Sequence, residues 1–190
     1  MRNAAFLISG FVLILLQSNL FRLTTALDRL LTHLSSWYAG AHGIHATNWT
    51  PQLVLPLIVF MGVHEYSLAR GAGIVFVLGY LTDLIGIAPV GLYTFTFVAL
   101  FLLARAAGVR LAAQTTLMQL LLALGFALLH SVTILVLLAI FGRDPWVPRA
   151  LYRLVIPHVL ATAAVAPLVF RLAQRLHVAT ARSAELGGRA

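Results

Sequence analysis

Four ionisable side chains lie within strongly apolar stretches of this 190-residue sequence: Glu65, Asp83, His130 and His158. Such residues are costly in an apolar environment and usually mark either a functional site or a hydrogen-bonded structural one. A carboxylate paired with an imidazole is an arrangement that general acid/base catalysis uses. At about 1.5 Å per helical residue, Asp83 and the two histidines are each expected roughly 18 to 23 Å from the same face of a helical bundle, which places them at one depth.

Asp83 belongs to the stretch GYLTDLIGIAPVGLY, residues 79–93, in which Pro89 and Gly91 predict a bend. Two interpretations of the carboxylate are open. Either it accepts a hydrogen bond from one of the two histidines, or it accepts bonds from a threonine, a tyrosine or a freed backbone amide near the bend and fixes that bend. The second interpretation predicts that Asp83→Asn is milder than Asp83→Ala, whereas a proton-transfer role predicts equal damage.

Other motifs that carry chemistry are scarce. The stretch HEYSL at His64 and Glu65 lacks the second histidine of the zinc-protease helix, and the sequence has no G-x-S-x-G elbow, no phosphate-binding glycine loop and no cysteine. We expect His64 to bond to a helix neighbour and Glu65 to lie at the membrane interface with Arg70. The HGIH pair, His42 and His45, has no carboxylate beside it, so solvated loop histidines are expected. The sequence therefore predicts no enzyme, no cofactor and no metal site.

The composition indicates an integral membrane protein. Hydrophobic residues make up 61% of the chain and charged residues only 9%, and the mean hydropathy is +0.97. A chain of this composition cannot cover one core with a water-compatible surface. All thirteen basic residues are arginine, and they are scattered between apolar runs. This pattern favours contact with anionic lipid and disfavours nucleic acid, which requires a continuous basic stripe.

Apolar runs long enough to cross roughly 30 Å of hydrocarbon predict an all-α protein, a compact bundle of about six spans in a single domain, 1–190. The predicted spans are 4–21, 52–69, 72–87, 91–109, 115–141 and 154–170. For the short third and fourth spans, a re-entrant hairpin is the alternative. The loop 22–51 is predicted to contain an outer amphipathic helix over about 25–38 with Thr25 near its N-cap, and 171–190 is predicted to be a basic tail.

The arginines also predict the orientation of the spans. With the N-terminus inside, eight arginines fall on the cytoplasmic side and five outside, a positive-inside bias that places both termini in the cytoplasm. The three tryptophans, Trp37, Trp49 and Trp146, then all lie at the outer interface, where such rings are enriched. In the last span, the run ATAAVAP contains Ala161 and Ala164, small residues that permit close approach of a partner helix.

The order of four segments resembles the MreD family of rod-shape-determining inner-membrane proteins. These segments are LLQSNL, PQLVLPLIVFMGVHEYSLARGAG, GYLTDLIGIAPVGLYTF and RAAGVRL, which together cover roughly residues 1–114. The most specific part is a G-x-x-x-D run followed by P-x-G, here Gly79, Asp83, Pro89 and Gly91. The loop 22–51 is longer than is usual in that family.

The resemblance implies a non-enzymatic subunit of the cell-elongation (Rod) complex, needed for rod shape and peptidoglycan synthesis. The implied direct partner is the single-span protein MreC, within a complex that includes MreB, RodA and a class B penicillin-binding protein. MreD proteins are similar in architecture to the substrate-binding subunits of energy-coupling-factor transporters, so a vitamin-type transporter subunit is the alternative. A third class, an intramembrane enzyme, requires Asp83 to pair with His130 or His158.

Single cysteines at Gly43 and Ala190 test the predicted topology, because no native cysteine competes for the label. We expect a membrane-impermeant reagent to label Gly43→Cys in intact cells and Ala190→Cys only after the cells are permeabilised. Labelling of both positions from the same side would contradict the predicted spans.

Overall fold

The computed structural model describes residues 2–35, 50–64, 67–86, 89–107, 115–141 and 146–187, and all regular structure among them is helical. The six helices are α1 (Arg2–Ser35), α2 (Val54–Val63), α3 (Leu68–Ile85), α4 (Leu92–Ala106), α5 (Thr116–Phe141) and α6 (Trp146–Gly187). The prediction of an all-α protein is therefore confirmed for the described part of the chain.

Four of these helices are long and apolar enough to cross a membrane, which supports a membrane protein. The candidate crossing segments are Asn3–Ala26, Leu68–Ile85, Leu117–Phe141 and Val155–Thr180. The other two are shorter, since α2 has 10 residues and α4 has 15. At 1.5 Å per residue they extend about 15 and 22 Å, less than the roughly 30 Å of a hydrocarbon core.

Aromatic contacts define one end of the bundle, here called the Phe60 end. The ring of Phe60 in α2 lies 6.3 Å from that of Phe6 in α1 and 6.1 Å from that of Phe170 in α6. The start of α1 and the later part of α6 therefore lie at the same end of the bundle.

Polar contacts define the opposite end, here called the Gln52 end. The side-chain amide of Gln17 in α1 donates to Oε1 of Gln52 at 2.8 Å, and the backbone amide of Gln52 donates to the Thr162 hydroxyl of α6 at 2.9 Å. Because Gln17 follows Phe6 and Thr162 precedes Phe170, α1 and α6 run in opposite directions between the two ends.

The short helix α2 occupies the centre of the bundle. All ten of its residues are buried, and it contacts all five other helices. A helix that is apolar on every side is stable only when it is surrounded, because it has no face that suits water. The sequence VLPLIVFMGV meets this requirement, since it contains no charged or strongly polar side chain.

The predicted second span, 52–69, differs from the structure. Helix α2 ends at Val63, and the side chain of Ser67 then accepts a hydrogen bond from the Arg70 amide to cap α3. The residues between the two helices, HEYS at 64–67, are more polar than the apolar runs on either side, and the predicted span wrongly extends across them. Ser67 is an N-cap residue type, and it was the local signal for a new helix.

The predicted outer helix over 25–38 also differs. Helix α1 continues without a break through Thr25, whose hydroxyl donates to the Phe21 carbonyl four residues earlier, as in a helix interior. No proline interrupts the sequence between Arg2 and Ser35, so nothing forces the helix to end. Residues 36–49, with Trp37 and Trp49, lie outside the described residues. The predicted tail from 171 is helical as far as Gly187.

Candidate functional site

Asp83 is buried near the end of α3 and accepts four hydrogen bonds from the start of α4. Its Oδ2 accepts from the backbone amide of Gly91 at 2.9 Å, from that of Thr94 at 3.0 Å and from the Thr94 hydroxyl at 2.6 Å. Its Oδ1 accepts from the backbone amide of Tyr93 at 2.9 Å. Donors of one helix terminus therefore engage both carboxylate oxygens.

The local sequence explains why α4 needs this carboxylate. The N-cap residue of α4 is Gly91, which has no side chain to accept bonds from the first amides of the helix. Its φ of 99° is in the left-handed region that glycine adopts readily, and the Pro89 carbonyl accepts from the Leu92 amide to close the turn. Asp83 supplies the missing cap from the preceding helix, and its negative charge lies at the positive end of the α4 dipole.

Gly79 lies one helical turn before Asp83 and brings the two helices close enough for these bonds. A Cβ atom at Gly79 would lie 2.6 Å from the Cα of Thr94 and 3.1 Å from its amide nitrogen. The backbones of α3 and α4 thus touch at this point. The spacing G-x-x-x-D has a direct physical meaning, because residues i and i+4 share a helix face: the glycine admits α4 and the aspartate caps it.

The structure has Asp83 in the second of the two arrangements considered from sequence, bonded to the bend and not to an imidazole. His130 is 2% exposed and lies against the rings of Tyr93 and Phe97, at centroid distances of 5.9 and 5.6 Å. Neither of its ring nitrogens has a hydrogen-bond partner among the described residues. His158 Nδ1 instead lies 2.7 Å from the Thr50 carbonyl oxygen. The three residues therefore do not form a hydrogen-bonded acid/base group.

His158 belongs to a second group of polar side chains at the Gln52 end. These side chains bond to the non-helical segment 50–53 that leads into α2. The Thr50 carbonyl is bonded to His158, the Gln52 amide donates to Thr162, and the Leu53 amide donates to Oε1 of Gln17 at 3.0 Å. The Thr162 hydroxyl in turn donates to the His158 carbonyl at 2.8 Å.

This second group satisfies irregular backbone in the interior of the bundle. Gln52 and Leu53 are 3% and 5% exposed, so water cannot replace their missing helical partners. Sequence reasoning found His158 but missed Gln17, Gln52 and Thr162. The available signal was a pair of glutamines at the edges of long apolar runs, since amide side chains there need partners in the protein. Gln52 Nε2 remains without a partner among the described residues.

The other residues singled out from the sequence lie at the turn, in α6 or outside the described residues. Pro89 is exposed at the turn, and Glu65 lies outside the described residues. In α6, Ala164 is exposed and Ala161 is half-buried, while their neighbours Ala163 and Ala166 belong to the core. The exposed position of Ala164 leaves it available to a partner helix.

His64 lies directly after α2 at the Phe60 end. Its Nδ1 is 3.1 Å from the Phe60 carbonyl oxygen, which confirms the predicted bond to a helix neighbour, and its ring stacks on the Phe60 ring at 3.9 Å. Burial lowers the pKa of His64 below its ordinary value of 6.5; the bond to Phe60 opposes this shift, and the nearby His177 adds to it. The described residues contain no cluster of three or more histidine, cysteine or acidic side chains.

Scans of the chain against protein-family models, curated proteins and solved structures gave no match. Function is therefore inferred from the residues and their geometry.

Two glycine substitutions in α3 test the contact between α3 and α4. We expect Gly79→Ala to lower the free energy of unfolding by about 1–3 kcal/mol, because the added methyl group meets backbone that cannot move aside. Gly73→Ala is the matched control, since no atom lies within 4 Å of its Cβ position, and it is expected to be neutral or stabilising by up to about 1 kcal/mol. Denaturation in detergent micelles measures both, and equal stabilities would contradict the close contact.

The geometry at Asp83 raises the expected cost of its asparagine substitution. The sequence alone predicts a mild effect of asparagine. In the structure, however, both carboxylate oxygens accept hydrogen bonds, so the NH₂ group of an asparagine must point at one of the donors. We now expect Asp83→Asn to destabilise the protein by about 1–3 kcal/mol and Asp83→Ala by more, because alanine leaves every donor without a partner. Thr94→Ser, which keeps the hydroxyl donor, is the control and should be nearly neutral. Wild-type stability of Asp83→Asn would contradict the four-bond cap.

Proposed function

We propose that this chain is a non-enzymatic, multi-pass subunit of the bacterial cell-elongation (Rod) complex, located in the inner membrane and binding MreC. The observation that carries the proposal is the use of both Asp83 oxygens to shape the turn between α3 and α4. This turn lies in the stretch that bears the most specific resemblance to the MreD family.

Each motif residue in that stretch has a role in the shape of the turn. Gly79 admits α4, Asp83 caps it, and Gly91 adopts the left-handed conformation that begins it. The tip of the turn is presented outward, because Pro89 is exposed and Val90 is 69% exposed. A turn held by four hydrogen bonds to Asp83, with an exposed apolar tip, suits recognition of a protein partner better than it suits catalysis.

An intramembrane enzyme has less support. Asp83 is held by amides and a hydroxyl, and both His130 and His158 lie apart from its hydrogen bonds. A general base must reach its substrate with a free lone pair, whereas this carboxylate already serves four donors.

A vitamin-type transporter subunit is the second candidate, and one observation favours it. Gln52 Nε2 and both ring nitrogens of His130 are buried without a partner among the described residues. Buried polar atoms normally have partners, and a bound ligand is one way to supply them. A small molecule retained through purification, together with recovery of a cytoplasmic ATPase module, would favour this candidate.

The proposed orientation places both termini in the cytoplasm. It is supported by the arginine distribution and by the position of Phe6 and Phe170 at one end of the bundle. The Phe60 end then faces the cytoplasm and the Gln52 end faces outward. Contacts to MreB, RodA and the class B penicillin-binding protein are proposed through the assembled complex.

Recovery of proteins that co-purify in mild detergent tests the proposal. We expect MreC, and with it other elongation proteins, to be recovered with a tagged copy of this chain. Recovery of a transporter ATPase in place of MreC would support the second candidate.

Substitutions in α6 test whether the partner packs against this helix in the membrane. We expect Ala164→Leu to insert and fold normally but to lower recovery of MreC several-fold, because Ala164 is exposed and a larger side chain blocks close approach. Ala163→Leu is the contrasting control, since Ala163 is 3% exposed and its enlargement should destabilise the chain itself. Full-affinity binding of a soluble MreC fragment that lacks its span would contradict this packing.

A further inference from the structure

Two histidine rings lie close together at the Phe60 end, away from Asp83 and from the Gln52 end. His64 follows α2 and His177 lies in α6. Their ring centroids are 6.0 Å apart, with an angle of 56° between the ring planes. Both rings also contact Phe60, at 3.9 Å for His64 and 6.5 Å for His177.

The hydrogen bond of His64 determines which of its nitrogens is free. A carbonyl oxygen can only accept, so Nδ1, which lies 3.1 Å from the Phe60 oxygen, carries the ring proton of the neutral side chain. Nε2 therefore keeps its lone pair. An Nδ1–H bonded to a backbone carbonyl is the arrangement that commonly orients metal-binding histidines in proteins.

His177 offers a second nitrogen. Its Nδ1 is buried and has no hydrogen-bond partner among the described residues. A buried polar atom without a partner costs free energy, and a metal ion is one group that removes this cost.

The distance between the rings is close to that of two histidines on one shared ion. With imidazole nitrogen at about 2.0–2.1 Å from the metal and about 1 Å from its own ring centre, two histidines at the tetrahedral angle have centroids about 5 Å apart. The observed 6.0 Å is longer by about 1 Å, so the two rings must approach by about that distance when the ion binds.

Some features around the two histidines favour a bound cation, and one opposes it. The backbone amide and the ring of His64 both bond to Phe60 O in the last turn of α2, and a helix C-terminus carries partial negative charge. Burial, which lowers the pKa of His64, keeps the side chain neutral at pH 7, the form that binds metals. The exposed side chains of Arg171 and Arg175 in α6 are positively charged. This charge opposes the binding of a cation and limits the affinity for the metal ion.

We propose that His64 and His177 together bind one divalent transition-metal ion of the zinc class, such as Zn²⁺, Co²⁺ or Ni²⁺, and that this ion links α2 to α6. Imidazole is a preferred ligand of these ions. Water completes the coordination, since the two histidines supply two positions. The inference is independent of the proposed function, because it concerns the opposite end of the bundle from Asp83.

A Co²⁺ titration by calorimetry tests the site in the full-length protein in detergent, without a polyhistidine tag. The background carries His33→Ala, His42→Ala and His45→Ala, so that these three histidines do not bind the probe. We expect one equivalent to bind and the affinity to fall about 100-fold in His177→Phe, which keeps an aromatic ring against Phe60 but removes the nitrogens. Arg175→Ala is the control, and it should bind at least as tightly as the background.

A second readout separates binding from loss of structure. Zn²⁺ should raise the melting temperature of the background and leave that of His177→Phe unchanged, since an ion that binds only the folded state stabilises it. Binding should also weaken on acidification, because protons compete with the metal ion for the imidazole nitrogens. If His64→Phe fails to fold, His177→Phe decides the question alone. Absence of binding, or binding that His177→Phe leaves unchanged and that reflects an adventitious ion only, would overturn the proposal.

Discussion

In hydrocarbon, every backbone N–H and C=O group must find its partner within the protein, and this constraint governs both polar sites of the structure. Two non-helical stretches of the described residues show this, the buried segment 50–53 and the turn at Pro89 and Gly91, whose tip is exposed. At the first, side chains from α1 and α6 supply the missing partners. At the second, Asp83 alone serves three amides and a hydroxyl. Asp83 and His158, two of the ionisable residues that suggest catalysis in the sequence, act here as backbone partners.

The two sites also fix how the helices are aligned, which apolar packing does less strictly. Lipid is as apolar as the faces of α1, α3 and α6, so burial among lipid tails and burial among helices differ little in free energy. A hydrogen bond between Gln52 and Thr162, or between Asp83 and Thr94, is satisfied in only one alignment. The apolar core around α2 then fills the space that this alignment leaves.

The sequence predicted the helical class, the limits of α5 to within a residue, and the structural importance of the stretch around Asp83. These features depend on local composition and on residues a few positions apart. The break before α3 was predicted a few residues too late, at 70–71, because the polar stretch HEYS, residues 64–67, was included in the second span. The partners of segment 50–53 were missed for a different reason: Gln52 and Thr162 are 110 positions apart, and periodicity contains no information on which distant side chain a backbone amide will meet. The prediction that asparagine at Asp83 is costly likewise depends on the directions of four donors, which the sequence does not contain.

The central position of α2 has a consequence for the order in which the chain matures. A ten-residue helix of about 15 Å is too short to settle across a bilayer by itself, and the segment before it needs the hydroxyl of Thr162. That hydroxyl is synthesised more than a hundred residues later. The hydrogen bonds of the amino-terminal half therefore remain incomplete until α6 has left the ribosome. Completion of the core during biogenesis therefore depends on the carboxyl-terminal helix α6. A nascent chain that stops before α6 cannot complete this core.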